Sequence, residues 1–435
     1  MDLAKSFEEH ISVRLRIASE LMDDLKIDGL VFDAGTLQYY YGDDQALPFR
    51  PSHHFAHWCP LKGANHMVLV RRERVPELLF YQPVDFWYDH SPLGEPFWAP
   101  SFQIREFDSV EKIWDELKNL RGFAYVGPNE KRADEIGLSL DDRIEPYLNW
   151  YRCYKTDYEV QCIDRSSEIA ARGHREAKDA FFEGDSELVI HSRYLNAVQA
   201  TDFELPYTGI VAVNEKSAVL HYAEKRQAHG ASQVLLIDSG ANFNGYASDI
   251  TRTYVSDECH KDFREMCHQM HQAQIKLCSM VKPGLEFAEL HHASHLAVAE
   301  ILLEHQVIKG LDAEQAYKEG LTRVFYPHGV GHMLGLLVHD VGGKQSNKNG
   351  DKIPVDENHP FLRSLRPIEE GFVFTIEPGL YFIESLLSKA RSEAIGGYLN
   401  DRLIEELMPF GGIRVEDNVL VTADSSKNIT RQYLA

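Results

Sequence analysis

At 435 residues the chain is too long for a single small module, and two or more domains are expected. Its composition, 44% hydrophobic and 26% charged, is that of a globular enzyme and excludes a disordered chain. With 45 basic against 67 acidic side chains the net charge is −22, which repels phosphate backbones and argues against a nucleic-acid partner. No apolar run approaches the roughly 18 residues of a membrane span.

The first residues, MDLAKSFEEHISVRLRIASELMDDLKIDGLVF, read as an amphipathic charged helix running into a strand, without the apolar core and cleavage site of a signal peptide. Short β-rich runs follow at Gly29–Phe32, His66–Val70, Glu77–Tyr81 and Phe123–Val126, which predicts a small α/β N-terminal domain. Between them the aromatic stretch Phe80–Phe102 is expected to be a long loop, because Pro83, Pro92, Pro96 and Pro100 would each remove a ladder donor. A boundary near Tyr147–Lys155 divides residues 1–154 from 155–435. Thr156-x-x-Glu159 is a capping-box pattern, and Val160, Ile163, Ile169 and Ala170 continue from it as a long helix. A second helix follows Gly184-Asp185-Ser186, and three- and four-residue apolar spacing predicts two more, at Lys261–Met280 and Leu285–His305. The histidines of His291-His292-x-x-His295 fall on the last of these and read as a solvated face. Strands are expected at Ile210–Val213, Gln233–Asp238, Ala247–Val255, Gly371–Phe382 and Gly412–Val421, so the larger domain is α+β. Six scattered cysteines (Cys59, Cys153, Cys162, Cys259, Cys267, Cys278) without a CxxC read as buried thiols of a protein from the reducing cytoplasm.

Four stretches carry chemistry. Asn244-Gly245 is a strong hairpin signal; if the turn forms, Phe243 pairs with Tyr246, Asp238 falls opposite Thr251, and Asp249 becomes its diagonal neighbour on the same face. Phe325-Tyr-Pro-His-Gly-Val-Gly-His-Met-Leu-Gly-Leu-Leu-Val-His-Asp340 interleaves His328, His332 and His339 with glycines that let the backbone approach a ligand. Phe374-Thr-Ile-Glu-Pro-Gly-Leu-Tyr381 and Gly411-Gly-Ile-Arg-Val-Glu-Asp417 each place a glutamate in an apolar strand, which is costly unless the carboxylate is paired or coordinated. Four carboxylates and an imidazole suit two hard or borderline divalent ions, Mn²⁺ or Co²⁺, rather than a zinc–thiolate site.

The order and wording of these stretches resemble the pita-bread metallopeptidases, a group that includes methionine aminopeptidase, aminopeptidase P and prolidase, over roughly Lys155 to the C-terminus. The resemblance implies a pita-bread catalytic domain and a dinuclear centre held by Asp238, Asp249, His332, Glu377 and Glu416, with Asp249 and Glu416 bridging. Mn²⁺ is the expected metal, with Co²⁺ or Zn²⁺ as alternatives. The N-terminal extension argues against a plain methionine aminopeptidase, and creatinase differs at the ligand positions. Leu362-Arg-Ser-Leu-Arg366, His339-Asp-Val-Gly-Gly343 and Glu-Pro-Gly-Leu-Tyr-Phe-Ile383 look most like the Xaa-Pro dipeptidases, in the bacterial form that also hydrolyses organophosphorus triesters. That likeness implies attack by a metal-bridging hydroxide, with Glu377 as proton shuttle and His339 and His221 as oxyanion donors. It further implies Arg366 or Arg414 as reader of a dipeptide's free carboxylate, Tyr207 and His328 lining the pocket, and a homodimer. An aminopeptidase P acting on longer peptides and a non-catalytic binding module on the same fold are the competing readings.

Overall fold

In a computed structural model, which describes residues 2–88, 92–228 and 230–434, the chain separates into two units. One comprises Met1–Arg152, Thr156–Gln161 and Asn347–Asp351; the other comprises Cys153–Lys155, Cys162–Ser346 and Lys352–Ala435.

The first unit begins with α1 (Leu3–Leu25), capped by the Asp2 carboxylate accepting from the Ala4 amide and closed by Lys26 in the left-handed region. Phe7, Ile11, Ala18, Leu21 and Met22 recur along one face and are buried, as the amphipathic pattern predicts. Then come β1 (Gly29–Asp33), α2 (His53–Ala56), β2 (Met67–Arg71), β3 (Glu77–Tyr81), β4 (Gln103–Phe107), α3 (Val110–Leu117), β5 (Phe123–Val126), α4 (Glu130–Glu135) and α5 (Ile144–Arg152). The strands form one sheet in the order β4-β3-β2-β1-β5, antiparallel between β1 and β2 and parallel between β1 and β5. The four expected strands are present, and β4 was not among them. It is an edge strand with a half-exposed pattern and carries Arg105 and Glu106, so it lacks the apolar signature of its neighbours. Of the expected Phe80–Phe102 loop, Phe80 and Tyr81 end β3, and Gln82 to Trp98 holds no strand among the described residues; residues 89–91 lie outside them. Glu159 reaches back to the Thr156 amide at 2.9 Å, half of the predicted capping box, before α6 (Asp157–Glu183).

The second unit continues α6 and adds α7 (Glu187–Val198), β6 (Ile210–Val213), β7 (Val234–Asp238), β8 (Asn242–Phe243), β9 (Tyr246–Ala247), β10 (Thr251–Val255), α8 (Lys261–Met280) and α9 (Phe287–Glu304). Short helices α10 (Ala313–Lys318) and α11 (Leu321–Phe325) lead to β11 (Val373–Ile376), β12 (Gly379–Tyr381), α12 (Glu384–Arg391), α13 (Asp401–Leu407), β13 (Gly412–Arg414), β14 (Asp417–Val421) and β15 (Ser426–Asn428). β7 lies between β6 and β10, both antiparallel to it; β11 pairs with β14, and β12 with β13. The hairpin forms as read: Asn244 and Gly245 both have positive φ (52° and 91°), Phe243 pairs with Tyr246, and Asp238 faces Thr251. The other expected strands differ in one consistent way. Gly371–Phe382, Gly412–Val421 and Ala247–Val255 are each interrupted, at Glu377-Pro378, Val415-Glu416 and Ser248-Asp249-Ile250. The chain changes pairing partner at those points, and each carboxylate sits where the ladder lapses.

Candidate metal centre

Three strand interruptions and one strand end converge. Asp238 closes β7, Asp249 precedes β10, Glu377 follows β11, and Glu416 lies between β13 and β14. A bridge between Thr251 and Glu416 links β10 to the β13–β14 junction, with the Glu416 amide donating to the Thr251 carbonyl at 3.0 Å. The Thr251 hydroxyl also donates to Glu416 Oε2 at 2.7 Å. His332 is delivered by the glycine-rich segment, which runs antiparallel along β11. The amides of Thr375, Glu377 and Leu334 donate to the carbonyls of His332, Val330 and Val373 at 2.8–3.0 Å. The glycines were expected to let the backbone approach a ligand; Gly329 and Gly331 do line the cavity described below, and Gly331 also lets β11 come close. A Cβ on Gly331 would collide with the Thr375 carbonyl oxygen. Seated this way, His332 Nε2 lies 3.4 Å from Asp249 Oδ2, 3.6 Å from Glu377 Oε1 and 4.0 Å from Glu416 Oε1, while its Nδ1 meets the Met333 carbonyl oxygen at 3.1 Å. A ring nitrogen whose partner nitrogen is held by a backbone carbonyl is the usual disposition of an imidazole ligand.

Concentrating four carboxylates here carries an electrostatic cost that the structure records. Burial, reinforced by neighbouring carboxylates, pushes Asp249, Glu377 and Glu416 well above the usual carboxylate range. Burial holds the His332 imidazole down at about 4, so it is neutral and its lone pair is available. Among the described residues the cation in contact is Arg414, whose guanidinium donates to Asp238, to Thr251 Oγ1 at 3.1 Å and to Tyr381 Oη at 3.0 Å. The Tyr207 phenol contacts both Asp238 and Asp249. Glu416 Oε1 is buried without any hydrogen-bond partner among the described residues, a costly state for a carboxylate oxygen and one that a cation relieves. One donor atom each from Asp249, His332 and Glu416 lie within 4.8 Å of one another. The donor set therefore fits divalent metal, bound through oxygen and one nitrogen.

A cavity of about 440 Å³ opens onto these residues, a size suited to a small ligand. Asp238, Asp249, His332, Glu377 and Glu416 all line it, as do His221, His328, His339 and Arg414. His221 and His339 are exposed at the cavity, and the His339 ring packs edge-on against His332 at 4.4 Å. One edge of the His339 ring is open to the cavity, but the enclosure of the rest, then His332, holds it at about 3. His328 is more enclosed, its Nε2 2.8 Å from Tyr381 Oη. Tyr207 does not reach the cavity wall; it stands behind Asp238 and Asp249. Arg366 requires a correction. It is 2% exposed and absent from the cavity, its Nη2 donates to Tyr154 Oη and Glu369 Oε1 at 2.9 Å each, and it stacks on Tyr154 and Phe372. The arginine that lines the cavity is Arg363, together with Lys344, Leu220 and Phe361. Leu362-Arg-Ser-Leu-Arg366 contains both arginines, and without the path of this irregular segment nothing in the sequence separates them. Tyr381, which joins His328 to Arg414, was likewise within a recognised stretch but carried no sequence signal of its own.

The model of metallopeptidase family M24 matches residues 161–423, and that of the Xaa-Pro dipeptidase N-terminal domain matches residues 5–149. The Xaa-Pro dipeptidases of Shewanella sp. (strain MR-7) and Shewanella pealeana are each 40% identical to the chain, covering 99% of it and 98% of their own lengths. Zinc-substituted Escherichia coli aminopeptidase P in complex with product shares the fold at a TM-score of 0.76, with 20% identity over 100% of this chain and 96% of that one. Proline aminopeptidase P II from Yersinia pestis does so at 0.74, with 22% identity over 100% and 97%. The chain thus belongs to metallopeptidase family M24, in its Xaa-Pro dipeptidase (prolidase) branch, and membership of that family implies divalent metal ions.

Proposed function

We propose that the chain hydrolyses Xaa-Pro dipeptides, with two divalent ions held by Asp238, Asp249, His332, Glu377 and Glu416. The observation that carries this reading is the joining of those donors, in one cavity, to the cations Lys344 and Arg363. A dipeptide places its free carboxylate one residue from the scissile carbonyl, so a reader of that charge must stand beside the reaction centre. Arg363 takes the role in place of Arg366, with Lys344 as a second charge. The bound ions supply Lewis acidity and a lowered pKa for the attacking water. Glu377, its carboxyl pushed up by burial and by Glu416, is suited to take the water proton and pass it to the proline nitrogen. His221 and His339 donate hydrogen bonds to the carbonyl oxygen as charge develops on it. Arg414 and Tyr207 act as positioning residues by holding Asp238 and Asp249, and Leu220 and Phe361 offer apolar contact to substrate side chains.

The oxygen-rich donors favour Mn²⁺, with Co²⁺ or Zn²⁺ able to replace it. Six buried thiols support a reducing, cytoplasmic setting. The family resemblance supports a homodimer, which sedimentation equilibrium tests. The same activated water is expected to attack an activated aryl phosphotriester as a by-product. The test of the reading is Asp249→Asn: metal content and Gly-Pro hydrolysis are expected to fall together, and retained hydrolysis refutes the site.

A further inference from the structure

The histidines on α9 were expected to face solvent, and the structure buries two of them. His291 and His295, one helical turn apart, are 3% and 1% exposed. They meet His359, 8% exposed, from the turn in which the His359 amide donates to the Asp356 carbonyl and the Leu362 amide to the His359 carbonyl. The three rings form a compact triangle, with centroids 4.5, 4.5 and 4.9 Å apart, and one nitrogen of each lies within 4.8 Å of one nitrogen of the others. His292 is not part of it; its side chain faces Glu314 on α10 at 3.4 Å.

The surroundings orient this triangle. His295 Nδ1 is 2.9 Å from Thr322 Oγ1, and His359 Nε2 is 3.1 Å from Tyr317 Oη, so these two rings each have one nitrogen held by a hydroxyl. His291 Nε2 and His359 Nδ1 lie 2.9 Å apart, joined by one hydrogen bond or, with that proton released, able to offer both lone pairs to one ion. His291 Nδ1, the nitrogen on the other side of that ring, is buried with no hydrogen-bond partner among the described residues. Burial keeps the cluster neutral, with His291 held at about 3. Three neutral imidazoles with no carboxylate among them are donors for a borderline-soft divalent ion. Three protein nitrogens plus one solvent position satisfy tetrahedral zinc.

We propose that His291, His295 and His359 form a third metal site, of zinc type, separate from the carboxylate centre. Its place gives it a task. His359 immediately precedes Pro360 and Phe361, which line the substrate cavity, and Arg363 follows two residues later. On the other side Tyr326 packs against His295 at 4.6 Å and against the cavity residue His328 at 4.9 Å. An ion here pins the loop that carries Phe361 and Arg363 onto α9 and so shapes the cavity wall without touching substrate.

The test is metal stoichiometry after dialysis against Zn²⁺, in four proteins: wild type, Asp238→Asn/Asp249→Asn, His359→Gln, and all three substitutions together. The expected contents are three, one, two and no equivalents. The difference between wild type and the double variant reports the carboxylate centre, and the difference between the double and triple variants reports the histidine site, so the two claims fail separately. A double variant that binds no metal, or one that binds as much as the triple, overturns the histidine site. Should His359→Gln fail to fold, Co²⁺ loading of the double variant decides alone. The visible absorption of a four-coordinate nitrogen-ligated Co²⁺ is expected, and a featureless spectrum overturns the proposal.

Discussion

Glu416 and Asp417 are chain neighbours, both buried carboxylates, and their surroundings are opposite. Asp417, fully buried, accepts from Arg252 Nη2 and Arg431 Nε at 2.7 Å and from Asn428 Nδ2 at 2.8 Å. Burial pushes its carboxyl up, but Arg252 and Arg431 outweigh that and hold it below the usual range. Glu416, 2% exposed, faces Asp249, Asp238 and Glu377, has one oxygen without a partner, and is pushed well above that range. Asp417 is satisfied as an anion by protein cations, whereas no described protein group satisfies Glu416 as one. A strand step puts successive side chains on opposite faces, so two adjacent acids serve the core and the cavity separately. A buried carboxylate is evidence of function when its surroundings fail to satisfy it, and evidence of structure when they do.

Substitutions at the two positions separate stability from activity. The largest effect is expected at Glu416→Gln: metal content and dipeptide hydrolysis fall to background, while the metal-free protein unfolds at no lower urea concentration than wild type, because a repelled charge is removed. Loss of stability instead would give Glu416 a structural role. Glu377→Gln is expected to lower kcat by about 10²–10⁴, with Gly-Pro turnover as the readout. Asp417→Asn acts the other way. Urea denaturation is expected to show a loss of about 3–5 kcal/mol, because Arg252 is left buried and short of a counter-charge, while the folded protein keeps its metal. Arg363→Ala is expected to raise KM for Gly-Pro by about ten- to a hundred-fold, the worth of a charge-assisted hydrogen bond, with kcat changed little; Arg366→Ala should change thermal stability and not KM.

The smallest effect is a pH dependence of opposite sign at the two neighbours. A depressed folded pKa gives Asp417 a stabilising contribution that is complete above the ordinary value of 3.8 and is lost as pH falls through the folded value. The Tm gap between wild type and Asp417→Asn should therefore close on acidification. A raised folded pKa makes the protonated Glu416 the stabilising form. In the metal-free protein that contribution is complete below 4.5 and is lost as pH rises through the folded value, so Glu416→Gln should gain on wild type with rising pH. Calorimetry across the acid range checks both.

Much of the centre was legible because local chemistry fixes it. Asn244-Gly245 selects a two-residue turn, the turn sets the register, and the register puts Asp238 opposite Thr251 before any tertiary contact is considered. The interruptions at Asp249, Glu377 and Glu416 were not legible. Ile376-Glu-Pro and Arg414-Val-Glu read as continuous β-rich chain, and the break arises from the change of pairing partner across β11–β14 and β12–β13. The burial of His291 and His295 escaped for a related reason. Their spacing places them on one helix face, but whether that face meets water depends on a distant turn that brings His359 against it. Arg363 and Arg366 show the same boundary: composition locates the cationic segment, and only its path decides which guanidinium enters the cavity.

In the proposed function, one cavity couples a two-ion hydrolytic centre to a reader of the carboxylate next to the scissile bond. Steady-state hydrolysis of Gly-Pro against Gly-Pro-Ala by the Mn²⁺-reconstituted protein tests it most directly. Efficient turnover of Gly-Pro and a large drop in kcat/KM for Gly-Pro-Ala, relieved in part by Arg363→Ala, is the predicted result. Equal turnover of the two peptides would contradict it.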